Sequence, residues 1–377
     1  MRYASPRSFA CACAVVVASS VFAGDVVVDG SIHAGGMVVS DGAGFMFPDA
    51  TVQTTAAAPE HRRTVIVSPV GTEAENGVAL LAAIAGLTPT VTEPYLLKLE
   101  PGVYDVGANQ VQTKQFLDVE GSGQQITRVK GTYPAAGALN GFVQVVSNSE
   151  IRMLTVENYG GGSASYKGID VWNEGNVRIS DVTVLVHSSG NTNTGIGIGG
   201  QGTVIRNATV VVSGGSTTVG LWLSAPDIRV DASWVHAVDG SYENVGVLTD
   251  YLGAQTITNS VIEASGAASS SNTGLTNRDG AEPDVFNCVI RALGGATNRA
   301  IHNYGVPTMP SQNGGVIQIH HSVVSGADVS VWNESDEDAY MAASQVKGPV
   351  SITGTGAVKC VGAYDVDYDP LSSSCSP

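Results

Sequence analysis

Positively charged residues are scarce in this sequence. Lys and Arg together number 18 against 34 Asp and Glu, which gives a formal net charge of −16 at pH 7. Such a chain would be repelled by nucleic-acid phosphates and by anionic membrane surfaces. The composition therefore argues against nucleic acid and acidic lipid as partners.

Long hydrophobic runs are also missing, apart from one at the N-terminus. Arg2 and Arg7 introduce an apolar stretch from Phe9 to Ser20, and small residues up to Ala23 offer a cleavage site. The stretch is shorter than the ~20 residues of a membrane-spanning helix. We expect residues 1–23 to be a secretory signal, with no membrane insertion. The expected location is secreted, extracellular or on the cell surface, with the periplasm as the alternative.

Cysteine is sparse, and two of the five residues lie inside the expected signal. Cys360 and Cys375 flank a short C-terminal segment, and in an oxidising compartment they are expected to close the tail, residues 359–377, with a disulfide. In the chain-entropy model a loop of this size contributes ~3 kcal/mol. Cys288 lies in a strand-like run and is expected to be a buried small side chain, not a nucleophile.

Strong catalytic motifs are absent. The sequence contains no nucleophile elbow, no His-Glu-x-x-His zinc pair, no phosphate-binding loop and no Cys-x-x-Cys. The segment Gly197 to Gly202 satisfies the Gly-x-Gly-x-x-Gly pattern of dinucleotide sites. It lies in a strand-like segment with no helix after it, so the structural condition for that site is not met.

Glycine, by contrast, is abundant at 46 residues and marks an internal repeat. A turn residue followed by alternating apolar positions returns every 25 to 28 residues, and each unit carries a second apolar segment. Segments this short with period 2 are strands. Stacked units coil the chain so that each strand pairs in parallel with its copy one coil away. The repeated segments begin at Gly168, Gly195, Gly220, Gly246, Gly274 and Ala300.

The repeat therefore predicts an all-β fold, a parallel β-helix over residues 61–358. Apolar side chains at the alternating positions are expected to face inward and to stack as ladders. This inward set comprises Ile169, Val171, Ile196, Ile198, Leu221, Leu223, Val247, Leu275 and Ile301.

A ladder of Asp and Asn residues recurs at a comparable place in each unit. A row of metal-binding or substrate-binding carboxylates is one interpretation. The turn-forming interpretation is favoured, because Asx side chains tolerate bends and cap backbone groups, and few of these residues carry charge. The ladder consists of Asp181, Asn207, Asp231, Asn259 and Asn287, and the pair His320 and His321 falls at the same place.

From Thr64 to Gly356 the sequence resembles the pectate lyase and pectin esterase superfamily, the pectin lyase-like β-helices. The resemblance rests on the repeat, a strand at Thr64, a helix near Ala74 to Ile84 and the segments that begin at Leu97 and Val119. It implies a single-stranded right-handed parallel β-helix with a short N-terminal capping helix. The catalytic signatures of the superfamily's hydrolases, esterases and lyases are absent.

Residues 24–60 differ from the repeat. Phe47 to Gln53 is similar to a Phe-Pro-Asp-Gly-Thr-Val-Gln stretch of bacterial surface and tail-fibre-like proteins, with Ala50 where glycine is usual. We expect a β-rich stalk and a linker. Exposed strands with few partners within their own length can pair between chains, so a homotrimer through residues 24–60 is one expectation and a solvated tail is the other.

The same alternation that fills the core places polar and aromatic residues outside it. Aromatic rings offer sugars a flat apolar surface, while Asp and Arg can hydrogen-bond hydroxyls or carboxylates. Neighbouring units are expected to bring these side chains into columns on one outer face, although unrelated surface residues would fit the same pattern. The candidate ligand-binding residues are Asp170, Trp172, Trp222, Asp250, Arg278, His302, Tyr304 and Trp332.

Three function hypotheses follow. The favoured one is a non-catalytic β-helix protein that binds an extended polysaccharide or a surface partner, because known catalytic sets are absent. A polysaccharide lyase or glycoside hydrolase with a divergent site built on Arg278, Asp250 and Asp279 is the alternative, and an adhesin or fibre shaft is the third. No cofactor or metal site is expected, although calcium could bind the acidic run Glu334 to Asp338 if it is not a solvated loop.

Overall fold

The computed structural model describes residues 61–135, 140–172, 175–251, 253–266, 270–305 and 314–376, together with two short strands nearer the N-terminus. These two strands, Phe45–Met46 and Val52–Gln53, pair antiparallel within a separate unit of residues 1–58. The expected signal and most of the expected stalk lie outside the described residues. The homotrimer expectation stays a prediction.

The larger unit, residues 59–377, is a right-handed parallel β-helix of about eight turns. The all-β fold class inferred from the repeat is therefore confirmed. Its first sheet, called sheet I, joins one strand from each coil. Sheet I contains Val111–Gln112, Val143–Gln144, Ser165–Val171, Thr192–Ile198, Thr217–Leu223, Glu243–Thr249, Ser271–Asn277, Thr297–Asn303, Val329–Asn333 and Val350–Ile352, with Pro134–Ala135 paired antiparallel to Ser165–Val171.

The remaining strands form sheet II, which bends at a corner in each coil. Its pairings from coil to coil are parallel throughout the described part of the chain. Sheet II contains Arg63–Val67, Tyr95–Leu99, Gly102–Asp105, Leu117–Glu120, Thr127–Gly131, Glu150–Gly160, Arg178–Ser188, Val204–Arg206, Thr209–Ser213, Ile228–Asp231, Trp234–Val238, Gln255–Thr258, Val261–Ser265, Asp284–Phe286, Val289–Leu293, Ile317–His320, Val323–Gly326, Ala339–Ala342, Gln345–Val346 and Val358–Val361.

The core between the sheets is built from the predicted aliphatic ladder. Each apolar side chain stacks on its copy in the next coil, as Ile169, Ile196 and Leu221 do through in-register pairing. Burying such side chains contributes ~25 cal/mol per Å² of apolar surface removed from water. All nine members of the inward set are buried, namely Ile169, Val171, Ile196, Ile198, Leu221, Leu223, Val247, Leu275 and Ile301.

The recurrent glycine lies within a strand of sheet I, not at a turn as expected. A Cβ on Gly168 would lie 2.5 Å from Val184 Cγ1, so the residue faces the core, and the next residue, Ile169, is also fully buried. Two consecutive inward residues shift the alternation by one. Before the glycine, each residue that strict alternation would place inside therefore faces outward, and each residue that it would place outside faces inward.

Both ends of the core are covered. The helix Glu73–Gly86, slightly longer than the expected Ala74 to Ile84, begins with a capping box between Thr72 and Glu75 and buries Leu80. At the other end a disulfide joins Cys360 and Cys375, whose Cα atoms are 5.1 Å apart. The disulfide-closed C-terminal tail is therefore confirmed.

Cys288 is a free cysteine of the described part of the chain and was expected to be buried. It is buried, and burial raises the pKa of its thiol to about 11. A thiol that stays protonated at neutral pH is a poor nucleophile. The interpretation of Cys288 as a buried small side chain agrees with this environment.

Two ladders of buried asparagines run through the interior beside the aliphatic core. In the first, Asn244 Nδ2 donates to Asn272 Oδ1 at 2.8 Å and Asn272 Nδ2 donates to Asn298 Oδ1 at 3.1 Å. In the second, Asn277 Nδ2 donates to Asn303 Oδ1 and Asn303 Nδ2 to Asn333 Oδ1, both at 3.0 Å. Each buried amide is thus satisfied by the coil above or below it.

The corner of sheet II is formed by the Asx ladder. Asp181, Asn207 and Asn259 have φ values of 53°, 50° and 52°, in the left-handed region that Asn and Asp tolerate best. One member was misassigned, because the corner of its coil is Ala232 (φ 49°) and Asp231 precedes it. His321 also occupies a corner, at φ 49°. The turn-forming interpretation therefore fits the backbone.

Candidate functional site

The outer face of sheet I presents the candidate residues in two adjacent rows. The in-register row contains Trp222, Leu248, Thr276, His302 and Trp332 at equivalent positions of successive strands. The next row lies just beyond the strand ends and follows backbone hydrogen bonds from coil to coil. Its members include Trp172, Ser224, Asp250, Arg278, Tyr304 and Glu334.

An open groove of about 830 Å³ lies over the strands Ser271–Asn277, Thr297–Asn303 and Val329–Asn333. It combines aromatic, basic and acidic side chains in one concave surface. We call this feature the groove. Its charged and aromatic lining consists of Tyr242, Glu243, Arg278, Asp279, Arg299, His302, Tyr304, Trp332 and Glu334.

Stacked aromatic rings form one part of the groove. His302 and Trp332 stack in neighbouring coils with centroids 4.5 Å apart and ring planes 5° from parallel, and Tyr304 meets His302 edge-on at 5.3 Å. The guanidinium of Arg299 lies 4.0 Å from the Trp332 ring centroid. In-register pairing of the strands makes this stack, because side chains at paired positions lie side by side.

His302 is held as a neutral ring. Its Nε2 lies 2.8 Å from Glu334 Oε2, and the side chain is otherwise buried. Burial lowers the pKa of His302 below its usual value and outweighs the opposing effect of Glu334, while Arg299 lowers it further. At neutral pH His302 therefore adds no positive charge to the groove.

Arg278 is held by a carboxylate of the preceding coil and by the carboxylate that follows it in sequence. Its Nη2 donates to Asp250 Oδ2 at 3.0 Å, and its Nε lies 3.6 Å from Asp279 Oδ2. Asp250 also accepts hydrogen bonds from Trp222 Nε1, at 2.8 Å, and from the Ser224 hydroxyl. Arg278, Asp250 and Asp279, the residues of the alternative enzyme hypothesis, are thus close together. They form an ion-pair network.

The expected exposure of Asp250 is wrong, because its side chain is buried beneath Arg278 and Trp222. Asp279 remains at the groove, where burial raises its pKa and the nearby Asp250 charge acts in the same direction, against Arg278. A permanently protonated guanidinium between two carboxylates is not a general base. The network holds Arg278 and Asp279 in the lining of the groove.

Asp170 and Trp172 do not belong to the groove. The expectation that Asp170 is exposed is wrong, since it is 0% exposed and accepts a 2.5 Å hydrogen bond from the buried Lys167 ammonium. Burial raises the pKa of Asp170 against the opposing charge of Lys167. The Trp172 ring lies over Gly199, where a Cβ would be 2.7 Å from it.

The Gly-x-Gly-x-x-Gly segment has a structural role in this arrangement. Gly197 and Gly199 leave gaps on the outer face that the side chains of Lys167 and Trp172 occupy. A Cβ on Gly197 would lie 2.9 Å from Lys167 Nζ. These glycines therefore serve close packing of side chains rather than a phosphate.

Among the charged and aromatic residues of the groove, sequence reasoning missed four: Tyr242, Glu243, Arg299 and Glu334. Arg299 precedes the inward pair Ala300 and Ile301, so strict alternation assigns it to the core. Glu334 was counted only within the acidic run. Continuing the outward row two residues beyond Trp332 would have identified it.

Among the residues that the structure describes, no group of three or more His, Cys, Asp or Glu side chains is placed to hold a metal ion. In the acidic run, Glu334 contacts His302, Asp336 accepts from Thr355 and Asp338 pairs with Lys359. The described part of the chain also has no helix long and apolar enough to span a membrane.

Comparison with solved structures supports the fold. No protein-family model and no curated protein sequence matches the chain. The pectate lyase Pel9A is similar with a TM-score of 0.56 and 15% identity over 81% of this chain and 80% of that one. The ORF18 protein of Geobacillus virus E2 (TM-score 0.55, 12% identity) and the Dettilon tailspike protein (0.53, 10%) each match 80% of this chain.

This chain spans only 62% of the viral ORF18 protein and 63% of the tailspike. At such low identity the likeness concerns architecture alone. The class defined by these observations is the right-handed parallel β-helix fold.

Proposed function

We propose that this protein binds an extended polysaccharide in the groove on the outer face of sheet I, without turnover of its own. The single observation that carries the proposal is the His302–Trp332 stack with Tyr304, set among the charged groups Arg278, Arg299 and Asp279. Aromatic faces can pack against sugar rings while charged groups hydrogen-bond hydroxyls. The name of one similar structure, a pectate lyase, supports a carbohydrate ligand.

Affinity electrophoresis through gels containing a polysaccharide panel tests the proposal. Trp332→Ala should weaken retardation about ten-fold, equivalent to ~1.4 kcal/mol, and Trp332→Phe should retain part of it. Trp234→Ala is the matched control, because Trp234 is 40% exposed on sheet II, away from the groove. Equal effects of the two alanine variants, or no retardation of the wild type by any glycan, would count against the proposal.

We propose a secreted or cell-surface location for this activity. The N-terminal sequence with signal character and the Cys360–Cys375 disulfide support it. Attachment or trimerisation through residues 24–60, as in a fibre or adhesin shaft, belongs to the same proposal. Light scattering of the full chain and of a variant lacking residues 24–60 tests the trimerisation. A monomeric mass for both proteins would exclude a trimer.

A polysaccharide lyase or hydrolase is the second candidate. It is favoured by Asp279, a groove carboxyl whose raised pKa suits a general acid better than an ordinary aspartate. Incubation with acidic and neutral polysaccharides, with and without calcium, would release new reducing or unsaturated ends. Loss of that release in Asp279→Asn would assign the activity to this site. If the wild type releases no new ends, polysaccharide binding without turnover is the function that remains.

A further inference from the structure

The groove is acidic despite its two arginines. Five charged side chains line it: Arg278 and Arg299 against Glu243, Asp279 and Glu334, a balance of −1 from two positive and three negative charges. Asp250 lies buried under Arg278 and adds another negative charge. His302 is neutral at pH 7 for the reasons given above.

Neither arginine is a free anchor for an anion. Arg278 is shared by Asp250, at 3.0 Å, and Asp279, at 3.6 Å, and its side chain is 36% exposed. Arg299 is stacked on Trp332, and its charge is offset by the nearby carboxylates Glu334 and Glu243. A carboxylate ligand would have to displace these partners before it gained a bidentate contact.

A polyuronate would therefore bind poorly. It carries one carboxylate per sugar, and each would enter a groove of the same sign in a chain whose formal charge is −16. An uncharged glycan meets no such repulsion. Its hydroxyls can donate to Glu243, Asp279 and Glu334, and its CH faces can pack on Trp332 and Tyr304.

We propose, building on the function above, that the groove selects an uncharged polysaccharide and rejects polyuronates. The acidic lining sets this selectivity. Glu243 and Asp279 are the residues that exclude anionic sugars, because their removal would leave the lining with a charge of +1.

Affinity electrophoresis at about 10 mM salt, where the Debye length is ~30 Å, measures this selectivity. The uncharged probes are starch, laminarin, galactomannan and arabinoxylan, and the polyuronates are polygalacturonate and alginate. The wild type should be retarded by at least one uncharged probe and by neither polyuronate. The double variant Glu243→Gln/Asp279→Asn should gain retardation by polygalacturonate of about ten-fold or more, and salt should abolish that gain.

The matched control is Glu263→Gln/Asp284→Asn, which changes the net charge equally on sheet II. It should show no gain, so an effect of overall charge alone is separated from an effect of the groove. Retardation of the wild type by a polyuronate and by no uncharged probe would overturn the selectivity while leaving polysaccharide binding intact. No retardation by any probe would overturn both proposals. An equal gain in the two double variants would also refute the role assigned to Glu243 and Asp279.

Discussion

At the residue scale, the groove depends on side chains that hold other side chains in place. Asp250 receives hydrogen bonds from Trp222 and Ser224 in the preceding coil and from Arg278 in the following coil. Its hydrogen bond to Arg278 holds that guanidinium in the lining of the groove. Asp250 is therefore a positioning residue, although the sequence suggested a direct ligand contact.

Burial is the property that the sequence could not provide. The outward direction of Trp222, His302 and Trp332 follows from alternation and is correct. The same reasoning exposes Asp170, yet Gln144 and Lys167 cover it on the outer face. Whether an outward residue is exposed depends on loops and neighbouring coils, which local alternation does not encode.

Thermal stability should reveal the environment of His302. Its lowered pKa means that the contribution of neutral His302 is present above the usual value of ~6.5 and is lost as pH falls through the folded-state value. The Tm difference between the wild type and His302→Gln should therefore shrink from about pH 7.5 to about pH 5. A difference that is constant or grows on acidification would contradict this assignment.

At the scale of strands and coils, the glycine row explains the register of sheet I. Gly195 and Gly220 face the core, where a Cβ would lie 2.3 Å from a valine of sheet II in each case. The repeat was visible in the sequence, but the inward direction of its glycines was not. The inward glycine position reverses the alternation for the residues before it, so Arg299 was missed. The aliphatic ladder follows the glycine position, so its prediction was unaffected.

The asparagine ladders are a second feature of the coils, and they could have been predicted from the sequence. Asn244, Asn272 and Asn298 each stand two residues before the recurrent Gly246, Gly274 or Ala300. A polar residue that recurs at a fixed offset inside strands indicates interior stacking as well as turns. Buried amides become acceptable because each satisfies the next.

Asn272→Ala should therefore destabilise the protein more than a corner substitution does. It removes the two buried hydrogen bonds that Asn272 makes with Asn244 and Asn298, at ~0.5–1.5 kcal/mol for each bond. Asn259→Gly at the exposed corner should cost roughly 0.5 kcal/mol or less, because glycine adopts its φ of 52° without strain. Thermal unfolding of both variants decides the point, and similar Tm losses would contradict it.

At the scale of the whole molecule, the fold follows from its repeat while the ligand does not. A cylinder of stacked coils needs covered ends, and here the helix Glu73–Gly86 and the disulfide-closed tail provide them. The repeat period and aliphatic ladder predict this architecture. The proposed ligand selectivity instead depends on the charge balance among Glu243, Asp279 and Arg299, which meet only after the chain has coiled.

Removal of the disulfide should affect stability without affecting the groove. Cys360→Ala/Cys375→Ala opens a loop with a sequence separation of 15 residues, which costs ~3 kcal/mol in the chain-entropy model. The variant should have a lower Tm, as should the wild type under reducing conditions. Its glycan retardation at 25 °C should be unchanged, and a parallel loss of binding would show that the tail contributes to the site.

Hydroxyl-radical footprinting tests groove binding most directly. The intact protein would be oxidised with and without a polysaccharide that retards it in gels, and oxidation of Trp332 and Tyr304 would be compared with that of Trp234. Trp234 lies on sheet II and corrects for radicals consumed by the glycan. We expect protection of Trp332 and Tyr304 relative to Trp234. Equal protection of all three residues, or preferential protection of Trp234, would show that the polysaccharide binds elsewhere.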